Sequence, residues 1–221
     1  MRYVFLALFV LVSVIHLYDS FRDDAAKRKR TKPLLLAFLI LFYFFSTKEI
    51  SVLLTLALVF SWLGDILLIP KGHGWFTAGG ISFLLGHIFF ILSYVGNVVW
   101  NSVLWMVVIP VGILYFFIAF LVIRAVIKTT PKAMIIPMYL YLIANSTMNT
   151  FALMQLFSFR SLPAVVAYLG AVFFFISDCT LYLVRYYKDP DLIFKRHFTV
   201  MLTYLLGEFL IVLGMLGVAH I

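Results

Sequence analysis

Eight apolar runs follow one another along the chain, at about residues 3–18, 33–47, 50–69, 76–95, 103–123, 133–155, 162–184 and 198–219. A helix needs about 20 apolar residues to cross the hydrocarbon core of a bilayer. In lipid, every backbone N–H and C=O must find an internal partner, and a helix supplies those partners within one segment. The expected fold is therefore all-α: a polytopic membrane protein of eight transmembrane helices, with residues 1–221 forming one integral membrane domain. The second run is short and touches the third through residues 46–49, so seven spans is the smaller alternative.

Composition agrees with a lipid solvent. The chain is 65% hydrophobic and 12% charged, about half the charge of a soluble domain. The net charge of +8 does not indicate nucleic acid, because the basic residues lie in short loops with no folded basic domain to carry a groove. The single cysteine, Cys179, excludes an intrachain disulfide and a cysteine-based metal site.

The basic residues also orient the chain. Residues 19–33 (DSFRDDAAKRKRTKP) are read as a cytosolic loop after an uncleaved first helix, since no small-x-small cleavage site follows the first run. With eight spans, the loops 19–33, 70–75, 124–132 and 185–197 share that side, and of the 17 basic residues only Arg2, Lys48 and Arg160 fall on the other. Both termini are then expected outside the cytosol, in a bacterial inner (plasma) membrane.

Three acids lie inside the runs: Asp65, Asp178 and Glu208. A carboxylate at the bilayer centre costs on the order of 2.5–3.5 kcal/mol by insertion scales, so such residues face a protein interior or a watery cavity. The runs place no Lys or Arg deep in a span, so no intramembrane salt bridge is expected for them. Asp65 and Asp178 each stand a few residues before the cytosolic end of a run, at matched depth. Packing by interhelical hydrogen bonds is an adequate reading for either alone; two at one depth favour function. His87 is the deep histidine, and Asn145 and Asn149 share a helix face with Tyr141. Ser61 lies one turn before Asp65 and Tyr182 one turn after Asp178. His87, Asp65, Asp178 and Glu208 are of the types that bind zinc, but no HxxxH or HxxE spacing supports a site, and no metal or cofactor is expected. Nucleotide-binding loops and serine-nucleophile motifs do not occur.

A faint internal repeat accompanies these residues. SWLGDILL (61–68) matches FISDCTLY (175–182), and FLLGHIFFILSY (83–94) matches YLLGEFLIVLGM (204–215). Four helices per half would make a 4+4 parallel repeat.

The stretches WLGDILL, FLLGHIFFILSY, GAVFFFISDCTLY and TYLLGE resemble the YhhN-like lysoplasmalogenase family, from about residue 35 onward. The resemblance implies hydrolysis of the vinyl ether bond of lysoplasmalogens to a fatty aldehyde and a glycerophospho-base. It implies Asp65 and Asp178, in the G-D and S-D motifs, as the essential acids; the family more often carries Gln at the place of Glu208. His87, Asn145, Asn149, Tyr182 and Glu208 are the expected substrate-binding residues. Partners are the lysophospholipid and membrane lipids, with no protein partner implied.

The chemistry suits those residues. Vinyl ethers hydrolyse by protonation at carbon, which needs a general acid, and the resulting cation needs a carboxylate beside it. Two carboxyls in different environments can divide the roles. Arg124, Arg185 or Lys71 would meet the phosphate at the cytosolic rim. The competing reading is a proton-coupled transporter with the three acids as a relay.

Overall fold

The structure is a computed structural model and describes residues 1–189 and 191–219. Eight α-helices occur among them: α1 (Arg2–Phe21), α2 (Ala25–Phe44), α3 (Val52–Leu67), α4 (His73–Val95), α5 (Trp105–Val126), α6 (Lys132–Phe159), α7 (Leu162–Tyr186) and α8 (His197–Val218), with a short 3-10 turn at Trp100–Ser102. The expected outside C terminus, at residues 220–221, and residue 190 of the loop 185–197 lie outside the described residues.

Five of the helices, α1, α4, α5, α7 and α8, are long and apolar enough to cross a membrane. The other three fall short for physical reasons. The first turns of α2 are basic. Helix α3 has 16 residues, about 24 Å of rise. The middle of α6 is diluted by Asn145, Ser146, Thr147, Asn149 and Thr150. Burial differs from that of a soluble protein at both extremes. Met106, Ile109, Ile113, Phe117 and Phe120 recur at helical spacing on α5 and are exposed, while Asp65, His87, Asn145, Asn149, Asp178 and Glu208 are buried. An apolar exterior with carboxyls, amides and an imidazole buried inside suits a polytopic membrane protein.

The largest departure from the sequence reading is at α2. Residues 25–33 are helical, where a loop was expected, and only Arg22, Asp23 and Asp24 separate α1 from α2. Lys and Arg are good helix formers. The Asp24 side chain caps the helix by accepting from the Lys27 backbone N–H at 3.1 Å. Ion pairs from Asp24 to Lys27 and from Asp23 to Arg28 add opposite charge at the helix start. Pro33 is carried inside the helix. On the far side of α2, the Tyr43 hydroxyl accepts from the Ser51 backbone N–H at 2.8 Å, just where Ser51 caps α3. Helices α2 and α3 are thus separate elements.

The chain packs as two compact units, Met1–Phe89 and Phe90–Ile221. In the first, α1 lies along α2 and α2 along α3. His16 of α1 and Thr31 of α2 join side chains at 2.7 Å. The Trp62 indole N–H donates to the Pro33 carbonyl oxygen at 2.7 Å, tying α3 to α2. In the second unit, α7 and α8 form the most extensive pair, with α6 on α7 and α5 on α6. Small residues make that pairing possible: a Cβ on Gly207 would lie 2.8 Å from the Phe174 nitrogen, and one on Gly214 would run into Ala167. Lipid offers helices no hydrophobic drive to associate, so close backbone approach supplies the packing.

Candidate functional site

In the first unit, Asp65 projects from the last turn of α3 and is 2% exposed. Lys32 Nζ stands 3.2 Å from Asp65 Oδ1. This corrects the expectation that no cation reaches the buried acids. The sequence pattern puts Lys32 in a loop; because α2 begins at Ala25, it lies two turns inside a helix instead. The Trp62 bond to Pro33, next in sequence to Lys32, fixes the two helices at this level. A signal existed in the sequence: the expected topology puts the basic run that ends on Lys32 at the membrane face that Asp65 approaches.

His87 is fully buried on α4, and its Nδ1 lies 2.8 Å from the Phe83 carbonyl oxygen. A carbonyl only accepts, so Nδ1 carries the proton, and in the neutral ring Nε2 is the basic nitrogen. Next to it, Gly86 lets α4 press on α3: a Cβ there would lie 3.2 Å from both the Ala57 carbonyl oxygen and Ser61 Oγ.

In the second unit, Asp178 is 4% exposed on α7. Asn145 Nδ2 of α6 donates to Asp178 Oδ2 at 2.6 Å. Asn149 Nδ2 in turn donates to Asn145 Oδ1 at 2.9 Å and to the Asn145 carbonyl oxygen at 3.0 Å. These bonds orient the Asn145 amide, since its oxygen accepts from Asn149 and its nitrogen is left to face Asp178. The expected pair Asn145 and Asn149 is thus a chain aimed at the acid, and the Tyr141 hydroxyl meets the same carboxyl. Tyr182 packs edge-on against the Tyr141 ring at 5.8 Å, one turn beyond Asp178. Glu208, fully buried on α8, acts electrostatically on Tyr141 and on the buried Tyr94, a neighbour that sequence patterning did not single out.

The two units repeat one local frame. Ala57 and Ser61 lie eight and four residues before Asp65, and Gly170 and Phe174 lie eight and four before Asp178. Gly86, just before His87, abuts the carbonyl of Ala57 and the nitrogen of Ser61; Gly207, just before Glu208, abuts the carbonyl of Gly170 and the nitrogen of Phe174. The Gly64–Gly79 approach in the first unit has its counterpart in the bond from Ser177 Oγ to the Val200 carbonyl in the second.

Among the described residues, no group of three or more His, Cys, Asp or Glu side chains is gathered to hold a metal ion. The sequence pattern of the YhhN family matches residues 28–215, which include Lys32, Asp65, Asp178 and Glu208. The chain belongs to the YhhN family. That family is associated with lysoplasmalogenase activity. No curated protein and no solved structure matches the chain. The YhhN match begins within α2, so the helix that carries Lys32 falls almost wholly inside it.

Proposed function

We propose that the protein is a membrane hydrolase that cleaves the vinyl ether bond of lysoplasmalogens, with Asp65 and Asp178 as its acid and base. Family membership supports the substrate class. The observation that carries the residues is that each aspartate is buried and held by a polar side chain of the helix before it, Lys32 for Asp65 and Asn145 for Asp178. A buried carboxyl with a dedicated partner is the expected form of a general acid or base.

In the proposed reaction, one carboxyl protonates the outer vinyl carbon, giving an oxocarbenium-like cation at the ether carbon. The other, as carboxylate, stabilises that cation and takes a proton from the attacking water. The hemiacetal then collapses to a fatty aldehyde and a glycerophospho-base. One water is consumed, and no oxidant or cofactor enters the balance. His87, Asn145, Asn149, Tyr182 and Glu208 line the substrate in this reading. The chain spans a bacterial inner membrane eight times with both termini outside the cytosol, as two four-helix halves within one membrane domain.

Purified protein in detergent should release fatty aldehyde from lysoplasmalogen. Asp65→Asn and Asp178→Asn should each lower that rate by about 10²–10⁴-fold, since an amide neither gives up nor takes the proton. Both variants should still bind lysolipid through its tail. Near-normal turnover in either would remove the hydrolase reading. Proton-driven uptake of a solute in proteoliposomes, without aldehyde release, would put a transporter in its place.

A further inference from the structure

The repeated frame makes the two aspartates comparable. Each is reached from the preceding helix, α2 for Asp65 and α6 for Asp178. The partners differ in charge: one is a lysine ammonium and the other a neutral amide. A full positive charge at 3.2 Å from a buried carboxyl stabilises only its ionised form. An amide N–H can donate to either form, more strongly to a carboxylate oxygen than to the carbonyl oxygen of a protonated carboxyl, so unlike an ammonium it leaves the protonated form accessible.

We infer that Lys32 is a positioning residue that divides the two roles: its ion pair commits Asp65 to be the carboxylate, and proton donation to the vinyl carbon falls to Asp178. This rests on the hydrolase reading above and settles a point that reading leaves open. Asp65 stabilises the cation and takes the water proton. Asp178, oriented by the Asn149–Asn145 chain, gives its proton to carbon. As the hemiacetal collapses, its hydroxyl proton returns to Asp178 while Asp65 protonates the departing glycerol oxygen, so both groups recover their starting states.

Lys32 from α2 stands against Asp65; His87 is buried on α4, next to the Gly86 that packs on Ser61 one turn before Asp65. Around Asp178 are Asn145 and Tyr141 from α6 and Cys179 and Tyr182 on its own helix; Arg185 acts on Tyr182, and Glu208 of α8 acts on Tyr141. His87 is common to every variant below, so it does not confound their comparison.

The test compares Lys32→Met with Lys32→Arg in the full-length protein. Lys32→Met should move the acidic limb of the kcat/KM profile upward by one pH unit or more, about a tenfold loss at a pH on that limb, and leave the alkaline limb in place. Lys32→Arg, which restores the cation, should restore the acidic limb. A purely structural Lys32 would lower activity equally at all pH values, and that result, or movement of the alkaline limb alone, overturns the inference.

Infrared difference spectra read the charge without any substrate. Subtracting Asp65→Asn from wild type at neutral pH should reveal a carboxylate band at Asp65. The same subtraction in the Lys32→Met background should reveal a protonated carboxyl band. If wild type already shows the protonated band, the inference fails. If the bands behave as expected but wild type releases no aldehyde, the hydrolase reading fails alone. Should Lys32→Met not fold, Lys32→Met with Asp65→Asn should fold, because it removes both charges; failure of the double variant as well would mean that Lys32 acts through packing and not through Asp65.

Discussion

Asn145 Nδ2 donates to Asp178 Oδ2 at 2.6 Å, and the bond is buried from both ends. Short contacts of this kind to a carboxyl are among the stronger hydrogen bonds in a protein. Asn145 has no freedom to turn its oxygen toward the acid, because Asn149 already donates to that oxygen. The two asparagines therefore act as one unit, with the inner amide touching Asp178 and the outer one fixing its direction.

Replacing Asn145 by Leu keeps the branched shape of the side chain and removes both bonds. Asp178 and Asn149 would each lose a buried partner, at a cost of about 1–3 kcal/mol for the leftover polar groups. Thermal unfolding in detergent should show that loss, and aldehyde release should fall at least tenfold. Asn149→Leu should cost less in both measurements, since it removes only the orienting bond. An Asn145→Leu protein as stable and as active as wild type would mean that the contact with Asp178 is incidental.

The glycines give a contrast that separates packing from propensity. A Cβ on Gly207 would lie 2.8 Å from the Phe174 nitrogen and 3.0 Å from the Gly170 carbonyl oxygen, both backbone atoms that cannot swing aside. A Cβ on Gly80 meets nothing within 4 Å. Gly207→Ala should therefore destabilise by about 1–3 kcal/mol through overpacking. Gly80→Ala should be neutral or slightly stabilising, because alanine is the better helix former by about 1 kcal/mol. Equal melting temperatures for the two variants would contradict the close approach of α7 and α8.

Much of this was legible in the sequence, and the misses have specific causes. Apolar runs located all eight helices because each must bury or face lipid along its length. The i, i+4 spacing of Asn145 and Asn149 placed them on one face, and the structure finds them bonded to each other. Lys32 was missed because hydropathy marks where apolar residues begin, whereas α2 begins where Asp24 caps it, eight residues earlier. Charged first turns are helical without being apolar, and pattern reading takes them for loop. The position of Asp65 at the end of a run hinted at a cation near the membrane face, but pairing between helices lies beyond what spacing along one strand of sequence encodes.

The same cap predicts a local response to acid. The Asp24 carboxyl is held below its ordinary value, chiefly by the Lys27 backbone N–H that it accepts and further by the Lys27 ammonium. A carboxyl lowered in the folded state contributes stability that is full above its ordinary value and is lost as pH falls below that value, through the folded one. The protection of the first-turn amides of α2, measured against the rate of an unstructured amide at the same pH, should therefore hold from neutral pH down to the ordinary aspartate range and fall below it. Asp24→Ala should lack that protection at every pH. Unchanged protection at that turn in Asp24→Ala would mean the cap does not hold α2.

Membrane topology can be tested span by span, beginning from Cys179→Ala, which removes the single native cysteine. Cysteines placed at Lys48 and Arg160 should react with an impermeant maleimide on intact cells, and cysteines at Lys29, Lys71 and Lys128 only after permeabilisation. The sites are chosen so that each of the three less apolar helices stands between two of them. Only the apolar part of α2 separates Lys29, in the basic start of that helix, from Lys48; only α3 separates Lys48 from Lys71, and only α6 separates Lys128 from Arg160. Each pair must react from opposite sides if its helix crosses. Lys48 and Arg160 are separated by four helices, α3 to α6, and must react from the same side. The demanding case is α3: about 24 Å of helix must cross a core of about 30 Å, so the bilayer has to thin or the helix ends have to extend the crossing. Asp65 near its inner end shortens the apolar length further, and its ion pair with Lys32 offsets the cost of placing that carboxyl at the boundary. Lys48 and Lys71 reacting from the same side would show that α3 does not span, and the eight-helix topology would have to be redrawn around it.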